Sequence, residues 1–331
     1  MKLAMIGSYG HCGDVLGGAA KLPDVELAAA AKWGPDDPLG YVGKHPAAPA
    51  DLLVYDDYRK MLDEVKPDVV GVFMPLYRNA EASIAAAQRG AHVISEKPLA
   101  TELDDLAALR RAVGKAGVRI ASLQTMRGFS PFLAVRNVVR SGRIGEPVLA
   151  AAQKSYIFGR RDEFYQKRET YGGTIPWVAI HALDYVSYCT GQGYTRVAAM
   201  HSNVAHPDCP GTEDNGGILL ELSGGGHAVI RFDYLRPGAA GARRRHGDDR
   251  LRIAGSEGIV EVMEEGTRVR LMTPTDVEDV PLPPARNLFA TFLSSIRGAG
   301  ECLISPDESF RLTEVALKAR QAADTGKVLE L

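Results

Sequence analysis

Gly7, Gly10 and Gly13 sit in the run Gly7-Ser8-Tyr9-Gly10-His11-Cys12-Gly13, directly after the short apolar stretch Lys2–Ile6. Glycines so placed let the backbone approach a pyrophosphate at a helix N-terminus. Gly7, Tyr9, Gly10, His11, Cys12 and Gly13 are therefore candidate dinucleotide-binding residues. The spacing is G-x-x-G-x-x-G, one residue longer than the usual G-x-G-x-x-G, and a tight turn without a ligand is the plain alternative. The fingerprint also calls for an acid after the second strand, to bind the ribose 2′-hydroxyl. Lys32 and Trp33 stand there instead. A lysine cannot accept the ribose hydrogen bonds but pairs with a 2′-phosphate, so the cofactor expected is NAD(P), with a lean to NADP. Trp33 offers a face to adenine, and a shifted loop would bring Asp36 or Asp37 to the ribose.

A second chemical run is Ser95-Glu96-Lys97-Pro98-Leu99. It ends a strand of the same sheet, and ligands of open parallel sheets sit at the carboxyl ends of strands. Met74 and Pro75, closing the strand Asp68–Met74, join Glu96 and Lys97 as candidate cofactor contacts. Oxidising an alcohol moves a hydride to nicotinamide while a base takes the hydroxyl proton. Histidine, with a free pKa of about 6.5, suits the base; lysine, at about 10.4, better polarises the oxygen. His181, on the apolar stretch Trp177–Tyr188, is the histidine candidate, with a buried core histidine as the alternative. His201-x4-His206-x2-Cys209 has metal-ligand residue types, but its spacing matches no zinc pattern and no metal is expected.

These residues need elements to hold them. Apolar runs at Lys2–Ile6, Val25–Ala31, Asp68–Met74, His92–Ser95 and Val118–Leu123 alternate with helical stretches at Gly13–Leu22, Tyr58–Val65, Ala80–Arg89 and Glu102–Lys115, the last with Thr101 as a candidate cap. That is β-α-β repetition through five strands, a doubly wound parallel Rossmann sheet. After Gln124 the texture changes. A helix at Pro131–Arg140 leads into strands at Pro147–Tyr156, Arg196–Met200, Gly217–Leu222, His227–Tyr234, Leu251–Ala254, Ile259–Met263 and Arg268–Met272, then a helix at Asp307–Thr325. The expectation is a Rossmann domain at 1–123, and at 124–331 an α+β substrate and oligomerisation domain with a large open, mostly antiparallel sheet. Its last helix is free to pack back on the first domain.

Glu96-Lys97-Pro98, the preceding AEASIAAAQRGAHVI, SGRIGEP (Ser141–Pro147), Gly172–Gly173 followed by His181–Asp184, and GDDRLRIAG (Gly247–Gly255) together resemble the Gfo/Idh/MocA oxidoreductase family, over essentially the whole chain. The resemblance implies bound NAD(P), a sugar, polyol or related substrate, and a homodimer or homotetramer formed through the open sheet. It implies that Lys97 contacts cofactor and substrate, with the Lys97–Pro98 bond cis, and that His181 is catalytic. It puts Arg127, Lys154, Tyr156, Arg160 and Tyr171 in segments that shape the substrate pocket; arginine forks there would suit an acidic group. The chain departs from the family at Trp177, where an aspartate commonly precedes the histidine by one helical turn. A tryptophan in that place suits stacking on a sugar ring or the nicotinamide. Asp184 falls on a neighbouring face and reads as structural. A non-catalytic cofactor- or sugar-binding regulator, and redox-assisted elimination or glycoside cleavage with recycled NAD, are the competing readings.

The composition fits. The chain has 331 residues, 45% hydrophobic and 24% charged, with 39 basic against 41 acidic side chains. That balance argues against a broad nucleic-acid surface; the one dense basic run, Arg243–Arg245, reads as a solvated loop. No apolar run reaches the ~20 residues of a membrane helix. The four cysteines, Cys12, Cys189, Cys209 and Cys302, are scattered, so reduced thiols and a cytoplasmic location are expected.

Overall fold

The computed structural model describes every residue except Asp36, 239–245 and 264–265, so Arg243–Arg245 lies outside the described residues. The chain groups into two units, Met1–Thr125 with Arg286–Glu314, and Met126–Ala285 with Val315–Leu331.

In the first unit the strands are β1 (Lys2–Ile6), β2 (Glu26–Ala31), β3 (Leu53–Tyr55), β4 (Val69–Val72), β5 (His92–Ser95) and β6 (Ile120–Ser122). They form one parallel sheet in the order β3-β2-β1-β4-β5-β6. The order reverses between β1 and β4, the switch point where such sheets take ligands. Five of these strands follow the apolar pattern of the sequence. β3 does not, because it is three residues long with both Leu53 and Val54 more than half exposed. Helices α1 (Cys12–Ala19), α2 (Gly40–Lys44), α3 (Tyr58–Val65), α4 (Asn79–Gln88) and α5 (Leu103–Ala116) connect them. α5 starts with Glu102 rather than Thr101 at its cap position and stops at Gly117, which takes the left-handed conformation glycine favours.

The second unit holds α6 (Ser130–Arg140), β7 (Pro147–Tyr156), the short α7 (Arg168–Tyr171), a π-helical turn at Ile175–Ala179 and α8 (Ile180–Thr190). Its remaining strands are β8 (Tyr194–Ser202), β9 (Asn215–Leu222), β10 (His227–Asp233), β11 (Gly247–Gly255), β12 (Ile259–Met263), β13 (Arg268–Met272) and β14 (Val277–Asp279). With the two-residue β15 (Leu329–Glu330) they make a nine-stranded sheet, β14-β13-β12-β11-β7-β10-β9-β8-β15. Only β7 and β10 pair in parallel. α8 lies against β7, β10 and β11, and the strand residues alternate between that buried face and an open one, as the period of two requires.

Arg286–Glu314 groups with the first unit, not with the domain that the 123/124 boundary assigns it to. The reason is α9 (Leu288–Ile296), whose Leu288, Phe289, Phe292 and Leu293 join the core cluster containing Val15 and Leu16 of α1. The last helix, α10 (Pro306–Thr325), is divided between the two groupings at Glu314.

Candidate active site

The glycine turn is built by the chain's own close contacts. Gly7 has φ +77°, its N–H donates to the Ala31 carbonyl at 2.8 Å, and a Cβ on it would lie 2.2 Å from the Phe73 carbonyl oxygen. Gly10 has φ +67°, and a Cβ there would lie 2.3 Å from Glu96 Oε2. Gly13 passes beneath the Tyr41 hydroxyl. The Tyr9 N–H donates to the Phe73 carbonyl at 3.0 Å, pinning the turn to the end of β4. Glycine is thus required first by β4 and by Glu96, and the same bareness opens the start of α1. The N-cap residue His11 makes no side-chain cap bond and gives its own N–H to Glu96, and the N–H groups that follow fit the role of a phosphate cradle.

Glu96 is fully buried at the end of β5 and reaches across the switch point. The His11 backbone N–H donates to its Oε2 at 2.6 Å, and His11 Nδ1 stands 3.0 Å from the same oxygen. Burial pushes this carboxyl up, but the charge and hydrogen bond of His11, the Lys97 charge and the backbone bond outweigh it, holding Glu96 below its usual range. Glu96 Oε1 also accepts from the Lys97 N–H at 3.0 Å. Lys97 is buried, and its bond to Pro98 is cis. For Cys12, burial, then Glu96 and Asp37, push the thiol up to about 12, which keeps it protonated and unreactive.

Three residues that sequence reasoning missed complete this end of the sheet. Asn79, the first residue of α4, accepts from the Met74 N–H at 3.2 Å and donates to the carbonyls of Glu96 and Pro98 at 3.4 and 3.3 Å. It thereby ties the ends of β4 and β5 together beside the buried Met74 and Pro75. Arg78 donates to the Trp33 carbonyl at 2.6 Å. Asp14, in the first turn of α1, has a buried Oδ2 with no hydrogen-bond partner among the described residues. The only hint of any of them is a polar residue at a helix start.

After β2, Lys32 pairs with the exposed Asp56 at 2.9 Å, and Trp33 is half-buried. Asp37 is not placed for a ribose. It is buried and accepts from the Ser8 hydroxyl at 2.7 Å and from the N–H groups of Leu39 and Trp33 at 3.0 and 3.1 Å, so it knits the glycine turn to its own loop.

The second unit gathers a different set. Lys154 and Tyr156 lie on β7, Trp177 in the π-helical turn, and His181 in the first turn of α8; Trp177 and His181 are buried. A π-turn is a frequent device at functional sites because it re-aims one side chain within a helix. Lys154 is buried 2.5 Å from Asp249 Oδ1, and the Tyr156 and His181 rings meet edge-on at 6.5 Å. Three other sequence candidates do not join this group as proposed. Arg127 is buried in an ion pair with Asp184 at 2.8 Å and stacks on Tyr188. Tyr171 is a core residue, its hydroxyl 3.0 Å from that of Tyr234. Arg160 is exposed, whereas its neighbour Arg161 lies over the Tyr234 ring at 4.3 Å.

His201, His206 and Cys209 go to separate partners: Asp324 at 3.0 Å, Asp214 at 3.4 Å with the Phe158 ring, and Thr212 at 3.4 Å. Among the described residues no helix is long and apolar enough to cross a membrane.

Residues 1–124 match the family model described as an oxidoreductase family, NAD-binding Rossmann fold, and residues 132–261 match the GFO/IDH/MocA C-terminal domain. The 1,5-anhydro-D-fructose reductase of Ensifer adhaerens is 27% identical over 278 residues, 80% of each chain. A Thermotoga maritima protein classed provisionally as an oxidoreductase superposes with TM-score 0.93 at 36% identity, covering 100% of both chains. An Agrobacterium radiobacter oxidoreductase, solved with NAD+, L-tartaric acid and magnesium, shares the fold at TM-score 0.82 and 20% identity, over 100% of this chain and 98% of its own.

Proposed function

The chain belongs to the Gfo/Idh/MocA oxidoreductase family, and on that premise we propose that it moves a hydride between nicotinamide and a hydroxyl carbon of a sugar, polyol or derivative. NAD(P) supplies the hydride acceptor or donor when bound. The observation that carries the reading is the pairing, at the β1/β4 switch point, of a glycine turn that only glycine can make with the buried Glu96-Lys97 run. The start of α1 holds the pyrophosphate and Lys97 polarises the reacting oxygen. His181 is the candidate, by sequence, for the base that takes the proton.

Lys32 supports a lean to NADP, moderated by Asp56, which a 2′-phosphate would have to displace. The open face of the nine-stranded sheet supports a homodimer or homotetramer.

Titration with NADPH and NADH, read by the fluorescence of Trp33 and Trp177, tests the cofactor. Tighter NADPH binding fits the Lys32 role, and tighter NADH binding discards it. A sugar and polyol panel then tests turnover. Lys97→Ala is expected to cut kcat by about 100-fold or more while cofactor still binds. Cofactor binding without turnover on the whole panel would instead favour a regulator.

A further inference from the structure

On the open face of the nine-stranded sheet, Arg231 of β10 stands opposite Gln153 of β7, which stands opposite Arg250 of β11. In the next row Val229 faces Ala151, which faces Arg252. Paired residues leave a sheet on the same side, so these six side chains share one face. Neighbouring strands lie about 4.8 Å apart, so Arg231 and Arg250 rise about 10 Å from each other with Gln153 between them. The middle of the second row is only an alanine. The missing bulk leaves a groove of about 710 Å³, with Ala151 in its floor and all three arginines in its lining.

The floor is fixed. Gln153 is buried, its amide donates to Asp248 Oδ2 at 3.0 Å, and its carbonyl accepts from the Tyr185 hydroxyl of α8. The carboxylates nearby do not balance the cations. Asp248 is shared by Arg250 at 2.9 Å and Arg236 at 3.9 Å, and Asp233 accepts from the Ser155 hydroxyl at 2.6 Å. Glu261, the acid in the lining, stands 3.7 Å from Arg252, too far for a hydrogen bond. Arg231 is exposed and, among the described residues, makes no hydrogen bond or ion pair. Three arginines against one glutamate leave the lining two charges positive. Like charges gathered on one hollow repel unless an anion lies between them.

We propose that this groove is a binding site for a small polyanion, a molecule carrying two or more carboxylate or phosphate groups. The planar fork of arginine matches two oxygens of either group. Arg231 takes one anionic group from the β10 side, Arg252 takes another from the β11 side, and Arg250 adds its charge to both. Val229, Ala151 and Met263 in the lining meet the carbon frame between the groups. Every residue of the site belongs to the second unit and none to the glycine turn, so the site stands independently of the oxidoreductase reading.

Calorimetric titration of the full chain with citrate, and separately with pyrophosphate, tests the site, with acetate as the singly charged control. One citrate per chain is expected to bind, and acetate is not. Arg231→Gln is expected to weaken the binding by about 10-fold or more, the loss of a charge-assisted contact. Ala151→Leu fills the floor without changing any charge and should abolish it. Arg196→Gln, elsewhere on the same sheet and paired with Glu221, should leave it unchanged. All three substituted residues are exposed, so each variant is expected to keep the parent's melting point. Pyrophosphate binding that follows citrate through these variants brings phosphates into the ligand class. Citrate binding that responds while pyrophosphate binding does not assigns the groove to carboxylates. The proposal is overturned if neither anion's binding responds to Arg231→Gln and Ala151→Leu, as when a second copy already fills the groove. Acetate binding as tightly as citrate overturns it too, as does Arg196→Gln weakening citrate as much as Arg231→Gln, the mark of a diffuse basic surface.

Discussion

Arg127 and Asp184 neutralise each other where water cannot: both side chains are almost wholly buried, 2.8 Å apart, with the guanidinium stacked on Tyr188. Removing one partner of such a pair leaves an uncompensated buried charge, at a cost of about 3–5 kcal/mol. Arg127→Met is expected to destabilise the second unit by that order in a denaturant melt, whereas the exposed Arg160→Ala should stay within about 0.5 kcal/mol of the parent. A melt of Arg127→Met matching the parent would mean that the pair does not secure α8. The case also explains why residue roles were unevenly legible. Lys97 is recognisable from its own neighbours, because a strand end is a local pattern. Arg127 as a type suggested an anion-binding fork, and only a partner 57 residues away shows that its charge is spent inside the unit. Glu96 and His11, separated by 85 residues, pose the same problem. Composition and spacing do not encode such pairings.

At the level of elements, the turn between β1 and α1 shows which glycines answer to the fold and what the helix start costs. The Asp14 carboxyl is pushed up to about 6 by burial and by Glu96, with the nearby His11 charge pulling the other way. A carboxyl raised by folding favours the protonated form, so its contribution to stability is complete below its ordinary pKa and is lost as pH rises through about 6. Asp14→Asn, which cannot ionise, is therefore expected to melt with the parent near pH 4 and above it near pH 7, by at most about 3 kcal/mol. Equal gains at both pH values would assign the effect to packing instead. The sequence pattern located β1, β5, β7, β12 and β13 closely, since each is an apolar or alternating run between turn residues. β3, β14 and β15 escaped it, being two or three residues long and paired at sheet edges, where neighbours rather than propensity decide. The π-helical turn escaped for another reason. Trp177 and His181 sit at an ordinary helical spacing, and nothing local marks the extra residue in the turn.

For the molecule as a whole, the two-part organisation was readable from the change of texture near residue 124, but the return of Arg286–Glu314 to the first unit was not. It depends on α9 finding α1, a contact between segments more than half the chain apart. The large open sheet of the second unit carries the last consequence. Leu219 of β9 pairs with Val229 of β10, which pairs with Ala151 of β7, which faces Arg252 of β11. Leu219 and Val229 are 50% and 49% exposed side by side in that row, while Arg231 and Arg252 flank them. An apolar strip bordered by charge on a flat sheet face is the pattern of a surface meant to be covered. A second copy of the same face would cover it with matching chemistry, and a stable pairing buries about 1,200–2,000 Å² in all. Light scattering on the eluting protein is therefore expected to give a dimer or tetramer. Leu219→Arg combined with Val229→Arg, both on the open face and away from the buried side that holds α8, should reduce it to monomer without lowering its melting point as far as a core change would. A parent that runs as a monomer at every concentration would remove the sheet face as an interface. A double variant that keeps the parent's mass would move the interface elsewhere on the molecule.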